Sequence, residues 1–493
     1  KLMHTYSYAD WLKYPRQTDQ IYQVWSLGSH RVLQWGDPEF ARRFGPTTTF
    51  QGAVGFEICA PLSQKGFGNN SGAFRMFEDK TREYFKWEFQ KYWSFYQLFG
   101  RLTYNSTASE EFWTGELSRR FGTDAAKPIA GMYRSGSKII PKILSVAIAN
   151  INMYVWPEKD MGGLINYYMT LKPFDPGLYS GFQEYVDYLL AGRTKGKTNR
   201  EQLASQLEAL AMETERFADA AKPLVHRSNK EFWATEKDFR ILSGMARYFS
   251  HKIRVAVKLN FFYKTGDASQ LQLAIRHGEA GLEAWKQLST LADEIYSDNL
   301  NFGPGSAGHW KDNIVFVEND LKQLNYQKAL FSVVQDADYA FDFGPEPFTK
   351  NTEAYNTPYV NDFTVERRFT GIFPSTKYDP RVGYGWISGE DLTAVQPKDP
   401  TRYTWYGATK DELKNIPEEA LLGDFITGTK PSIFRVDLPE GDYQGTLIIS
   451  DKSPNPTAHG PMEVFGVERF ESRPIVDSKV VGVGETIVQR FNF

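Results

Sequence analysis

The 493-residue sequence predicts a multidomain chain whose three parts differ in fold class. Residues 1–104 alternate between helix and strand signals, which is typical of α/β folds and predicts the C-terminal part of a (β/α)₈ barrel. Residues 105–337 carry long amphipathic helical patterns and predict an α-helical domain. Residues 338–493 carry short apolar runs separated by Pro, Gly and Asp turns, which predicts a β-sandwich.

In the first part, two short apolar runs with the character of buried strands each contain or precede an acidic residue. The predicted elements are a helix over 7–27, a strand over 31–35, a helix over 38–44, a strand over 53–60 and a helix over 78–100. The last helix has an aromatic stripe at helical spacing, formed by Phe85, Phe89, Tyr92, Tyr96 and Phe99. Because strands of this kind need neighbours on both faces, we expect a preceding segment to supply the N-terminal remainder of the barrel.

The second and third parts are predicted from periodicity and turn chemistry. Helices are predicted over 109–122, 198–221, 230–263 and 268–296, with a Gly-Asp turn between the last two. Strands are predicted over 339–343, 432–438, 445–449 and 487–493. No turn residue ends the last of these strands, so we expect the sandwich to continue beyond Phe493.

Composition excludes several classes of function. A formal charge of −3 and a pI near 6.3 argue against a nucleic-acid-binding protein, which normally carries a basic excess. The sequence has no run of 18 apolar residues, so no membrane span is predicted. Cys59 is the only cysteine and forms no internal disulfide, and His309 lacks the neighbours of a metal ligand. With no dinucleotide or phosphate loop in the sequence, we predict neither a cofactor nor a metal.

Asp37 and Glu57 are the candidate catalytic residues. Each lies near the end of a predicted strand, and barrel enzymes carry their chemistry at the C-terminal ends of the strands. Two such carboxylates serve as acid and base in glycoside hydrolysis, or activate water. The alternative for Asp37 is local, because Gly-Asp-Pro-Glu is also an N-cap followed by Pro at the first helical position. Glu57, between two apolar residues, needs a partner if it is buried.

Further residues are candidates for binding substrate. Aromatic residues make up 15% of the chain, which indicates either large cores or sugar-stacking surfaces, and composition does not separate the two. The candidate binding residues are Trp35, Trp156, Arg31, Lys65 and Arg101. The three basic side chains could bind an anionic sugar. The alternative is that they form structural salt bridges.

The segment after the predicted barrel resembles microbial α-glucuronidases and related barrel glycoside hydrolases. The resemblance rests on the segments 99–105, 111–113, 120–122 and, more loosely, 162–170. It implies a glycoside hydrolase acting on a complex plant or algal polysaccharide, at linkages that contain uronic acids. It also implies a periplasmic or secreted location. Asp37 and Glu57 are assigned by position, with the general acid expected from the N-terminal remainder.

The third part separately resembles galactose-binding-like or malectin-like sandwiches. The resemblance rests on the segments 341–344, 383–386 and 434–443. It leaves open a rival function, a non-catalytic glycan-binding protein of a polysaccharide-utilisation system. The expected partners are a polysaccharide or oligosaccharide, the N-terminal remainder of the barrel and, as an open alternative, a second copy of the chain.

Overall fold

The computed structural model describes the following residues: 19–24, 30, 32–58, 61, 76–146, 157–169, 171–173, 175–193, 196–302, 307–344, 370–395, 425–450, 458–468, 471–483 and 485–492. They form two compact units, one up to Leu321 and one from Lys322 onward. The division of the chain into three domains stays a prediction. None of the helices within these residues is long and apolar enough to cross a membrane.

A parallel pair of strands opens the first unit. Strand β1 (Ile21–Val24) pairs with β2 (Gly55–Ile58), and helix α1 (Pro38–Phe44) lies between them in sequence. This confirms helix 38–44 and places a strand within 53–60. The predicted helix over 7–27 is wrong at its end, because residues 21–24 pair their backbone with β2, while residues 1–18 lie outside the described residues. Two strands do not confirm a barrel.

The strand predicted over 31–35 is wrong for the residues that the structure describes. Val32, Leu33 and Gln34 are wholly buried but pair with no strand. The Glu158 carboxylate accepts the backbone N–H groups of Val32 and Leu33, at 3.0 and 2.8 Å. Asp238 Oδ2 accepts the N–H of Gln34 at 3.0 Å. Buried amides must be bonded, and here side chains of the helical region take the place of a neighbouring strand.

The aromatic segment is helical over a shorter range than predicted. Residues 80–82 form a 3₁₀ turn, and the α-helices are α2 (Glu88–Lys91) and α3 (Trp93–Leu102). The Gln90 side chain accepts the N–H groups of Lys86 and Trp87, at 2.8 and 2.9 Å. These amides donate to a side chain instead of a preceding turn, so α-helix begins only at Glu88. On the predicted stripe, Phe89 and Tyr96 are exposed and the other three are buried.

Helices form the bulk of the first unit, as predicted. The bounds are α4 (Glu111–Phe121), α5 (Thr123–Gly136), α6 (Ile139–Val146), α7 (Ile165–Tyr168), α8 (Phe182–Leu190), α9 (Arg200–Ala221), α10 (Lys230–Thr265), α11 (Ala268–Asp293) and α12 (Ile314–Val334). The residues of α12 after Leu321 belong to the second unit. Helix α10 is largely buried and packs against α9 and α11. Gly266 ends it at φ 70°, and Asp267 then caps α11. A short antiparallel pair, β3 (Leu300–Asn301) and β4 (Ala307–Gly308), precedes α12.

The second unit is rich in strands. Their bounds are β5 (Phe341–Phe343), β6 (Thr370–Ile372), β7 (Tyr384–Ser388), β8 (Thr393–Val395), β9 (Phe425–Thr427), β10 (Ile433–Val436), β11 (Gln444–Ser450), β12 (His459–Glu468), β13 (Glu471–Val481) and β14 (Thr486–Asn492). Within the described residues they pair two by two: β5 with β6 in parallel, and β7–β10, β8–β9, β11–β14 and β12–β13 antiparallel. The predicted strands are therefore present, whereas two stacked sheets, and so a sandwich, are not confirmed.

Candidate functional site

Residues of the helical region hold the turn that carries Trp35 and Asp37 in place. The Gly36 N–H donates to Ser137 Oγ at 2.8 Å. A Cβ at Gly36 would lie 2.6 Å from the Tyr133 ring, so a side chain does not fit there. Trp35 packs against three phenylalanine rings, Phe40, Phe95 and Phe99, with centroids 5.5 to 6.1 Å away.

A buried ionic network holds the segment just before this turn. Lys91 and Asp238 have fully buried side chains, and Lys91 Nζ lies 3.0 Å from Asp238 Oδ2. The same ammonium donates to the Val32 carbonyl and, at 3.1 Å, to the Tyr296 hydroxyl. Burial raises the pKa of Asp238, and the Lys91 charge opposes that shift. All of these groups bond to one another or to backbone, which indicates a structural role.

A pocket of about 520 Å³ opens beside the turn. Its lining combines a partly apolar wall with charged and hydroxyl groups: Trp35, Asp37, Phe40, Ser137, Lys138, Pro141, Lys142, Ser145, Tyr179, Gln206, Ala209, Leu210 and Glu213. These residues come from the turn, from α1, from α6 with the turn before it, from the bridge residue Tyr179 and from α9. An aromatic wall beside a few polar groups suits a sugar ring and its hydroxyls.

Asp37 lies at this pocket and also caps α1. Its side chain is 6% exposed, and Oδ1 accepts the N–H groups of Glu39 and Phe40, at 3.1 and 3.3 Å. The capping role considered from the sequence is therefore present. Burial raises the pKa of Asp37, while the Phe40 amide and the Lys138 charge lower it. A buried carboxyl group at a pocket, with a raised pKa, is suited to holding or moving a proton.

The pocket brings together two of the seven residues singled out from the sequence, Trp35 and Asp37. Glu57 is exposed on β2 and does not line the pocket. An exposed carboxylate is solvated, so Glu57 does not need the partner that the sequence predicted for a buried one. Arg101 is exposed on α3, with its guanidinium 5.5 Å from the centroid of the Phe112 ring, and does not line the pocket either. The remaining three, Arg31, Lys65 and Trp156, lie outside the described residues.

Sequence reasoning missed Lys138, Lys142 and Glu213. The two lysines are four residues apart, a spacing that puts both on one face of a helical segment and could have drawn attention to them. Burial lowers the pKa of Lys142, and Lys138 Nζ lies 3.7 Å from Glu39 Oε2. Glu213 comes from α9, far along the chain, and only packing places it at the pocket.

Within the described part of the chain, no group of three or more His, Cys, Asp or Glu residues is arranged to hold a metal ion. His30 is wholly buried, and burial lowers its pKa to about 3, so its imidazole is neutral at physiological pH. His309 is also buried, and its Nδ1 accepts the Lys311 N–H at 3.3 Å. His309 thus caps the turn before α12.

Comparison with known proteins identifies a fold. No family model and no curated protein matches the sequence. Among solved structures, the chain is similar to a GH138 enzyme targeting pectin rhamnogalacturonan II, with a TM-score of 0.54 and 14% sequence identity. The match covers 64% of this chain and 48% of that enzyme, so it spans about half of that enzyme's length. Such a likeness shows that the matched part of the chain shares its fold with that enzyme, and the α-glucuronidase and malectin-like resemblances stay predictions.

Proposed function

We propose that the protein is a glycoside hydrolase that acts on a complex plant or algal polysaccharide at uronic-acid-containing linkages. The observation that carries this proposal is the pocket in which Trp35 and a buried Asp37 meet two lysines. The fold shared with a polysaccharide-degrading enzyme supports it. A substrate of this kind lies outside the cell, so we also propose a periplasmic or secreted location.

Each group at the pocket suits one part of such a substrate. The Phe40 ring, 37% exposed, offers an apolar face to the C–H groups of a sugar, and the buried Trp35 ring supports it edge-on. Lys138 and Lys142 offer ammonium donors to a uronate carboxylate. Asp37, with its raised pKa, is the candidate acid or base.

Glycoside hydrolysis requires a second carboxylate. The sequence assigns that role to Glu57, and we retain the Asp37–Glu57 pair as a proposal. Glu213 is a competing candidate, because it lines the same pocket as Asp37. The two assignments differ in the variant that they predict to be inactive.

The test measures turnover of uronate-containing oligosaccharides by Asp37→Asn, Glu57→Gln and Glu213→Gln. Asparagine also caps helices well, so Asp37→Asn removes the charge and keeps the cap. We expect Asp37→Asn and one of the two glutamine variants to lower kcat at least about 100-fold, the lower range for a positioned acid or base. Glu279→Gln, at an exposed position of α11, is the matched control. Full activity in all three variants, with circular dichroism unchanged, contradicts the catalytic assignment.

A non-catalytic glycan-binding protein is the second candidate, and one observation favours it. Asp37 Oδ1 is occupied by the helix cap and Glu57 is exposed away from the pocket, so the described residues do not bring the proposed pair together there. Glycan-array binding of the full chain without product formation, weakened by Lys142→Met but unaffected by Glu57→Gln, supports this candidate. Product release from the same glycans rules it out.

A further inference from the structure

Two histidines face each other across the α10–α11 hairpin. His251 lies on α10 and His277 on α11, and their Nδ1 atoms are 3.2 Å apart. The ring centroids are 5.4 Å apart and both rings are partly buried. At this distance one Nδ1 donates and the other accepts, so the contact needs at least one neutral ring.

Charges from two helices surround the pair. Arg254 and Arg247 of α10 and the Lys258 ammonium lie close enough to disfavour a positive imidazole. Glu201 and Glu208 of α9 act in the opposite sense. Both carboxylates are already engaged by one guanidinium, with Arg254 Nε 2.8 Å from Glu201 Oε1 and an Arg254 terminal nitrogen 3.0 Å from Glu208 Oε2. They are therefore poorly placed to compensate two further positive charges.

We propose that His251 and His277 form an acid-sensitive latch, whose hydrogen bond ties α11 to α10 at neutral pH and opens when both rings become protonated. Two imidazolium ions at this distance repel each other beside Arg254, and neither retains an acceptor lone pair at Nδ1. The latch is independent of the proposed function, because neither histidine lines the pocket.

The direction of the pH dependence follows from the two folded-state pKa values. Burial lowers the pKa of His251, and burial with the His251 charge lowers that of His277 to about 4, from an ordinary value of 6.5. A lowered pKa means that the folded state favours the neutral ring. The latch is fully closed above pH 6.5 and loosens as the pH falls towards 4.

Hydrogen exchange measured by mass spectrometry at pH 7 and pH 4.5 tests the latch on the full chain. After correction for intrinsic exchange rates, we expect amides of α11 around His277 to open at least about tenfold more often at pH 4.5, since one unit of pKa shift is a factor of ten. In His277→Gln the increase should be clearly smaller, because only His251 still titrates and the Gln side chain can still bond it. His226→Gln, which changes an exposed loop histidine, should behave like the unaltered protein.

A second measurement keeps the inference testable if His277→Gln is unstable. The chain has seven histidines, few enough to resolve by selective ¹³C-histidine labelling and NMR. Two signals should titrate below pH 6.5 in coupled steps, and one of them should disappear in His277→Gln. The latch is overturned if both rings titrate independently near pH 6.5, or if α11 opens equally in the variant and the unaltered protein at pH 4.5.

Discussion

Neutralising either charge of the buried Lys91–Asp238 pair should strongly destabilise the first unit. Asp238 Oδ2 accepts from Lys91 at 3.0 Å and from the Gln34 amide at 3.0 Å, while Oδ1 accepts from the Tyr296 hydroxyl. Both charged side chains are fully buried. In Asp238→Asn the ammonium stays buried without its counter-charge, and in Lys91→Met the carboxylate does.

The expected magnitude follows from burial and from the number of bonds. Breaking a fully buried ion pair from one side costs about 3–5 kcal/mol, because an uncompensated charge remains in the interior. Each single variant should lose about that much free energy of unfolding. The double variant Lys91→Met/Asp238→Asn removes both charges of the pair, and Tyr92 still donates to the Val32 carbonyl at 3.1 Å. Its loss should therefore be smaller than the sum of the two single losses by at least about 2 kcal/mol.

Urea unfolding followed by tryptophan fluorescence measures the free energy of unfolding of the unaltered protein, the two single variants and the double variant. An exposed pair in the same unit, Lys286–Glu318, is the control, because its Nζ–Oε1 distance is 2.8 Å but its side chains are 44% and 41% exposed. Losing that pair should cost less than about 1 kcal/mol. Additive single losses at Lys91 and Asp238, or losses as small as those of the control, would refute the assignment of a structural ion pair.

Two further predictions concern packing and pH. Gly136→Ala in α5 should cost about 1–3 kcal/mol in thermal melts, since the new Cβ would overlap the Phe239 ring. Gly115→Ala in α4, where a Cβ has nothing within 4 Å, is the control and should be neutral or stabilising by up to about 1 kcal/mol. Burial raises the pKa of Asp342 to about 6, so its ionisation opposes folding as the pH rises from about 4 to above 6. Asp342→Asn should therefore raise the melting temperature of the second unit at pH 8 but not at pH 4, and an equal shift at both pH values contradicts this reasoning.

The sequence determined the local elements whose signals are themselves local. Helices α10 and α11 were predicted with correct first residues and with last residues within three of the observed ones. Periodicity gives their buried faces, and the Gly266–Asp267 turn supplies a left-handed C-cap followed by an N-cap. The capping role of Asp37 was also visible, since its amide partners lie two and three residues away. Several strands of the second unit were placed by their turns, such as β11 after Gly441.

Tertiary structure alone decided where long-range partners meet. The run Val32–Gln34 has the apolar character of a buried strand, but the groups that bond its amides, Glu158 and Asp238, lie 125 and more residues away. A hydrophobic pattern predicts that a segment is buried, but it does not show which groups accept the hydrogen bonds of its backbone amides. The pattern therefore could not distinguish a strand from the irregular segment observed there. The pocket depends in the same way on Glu213, which only the packing of α9 brings beside Asp37.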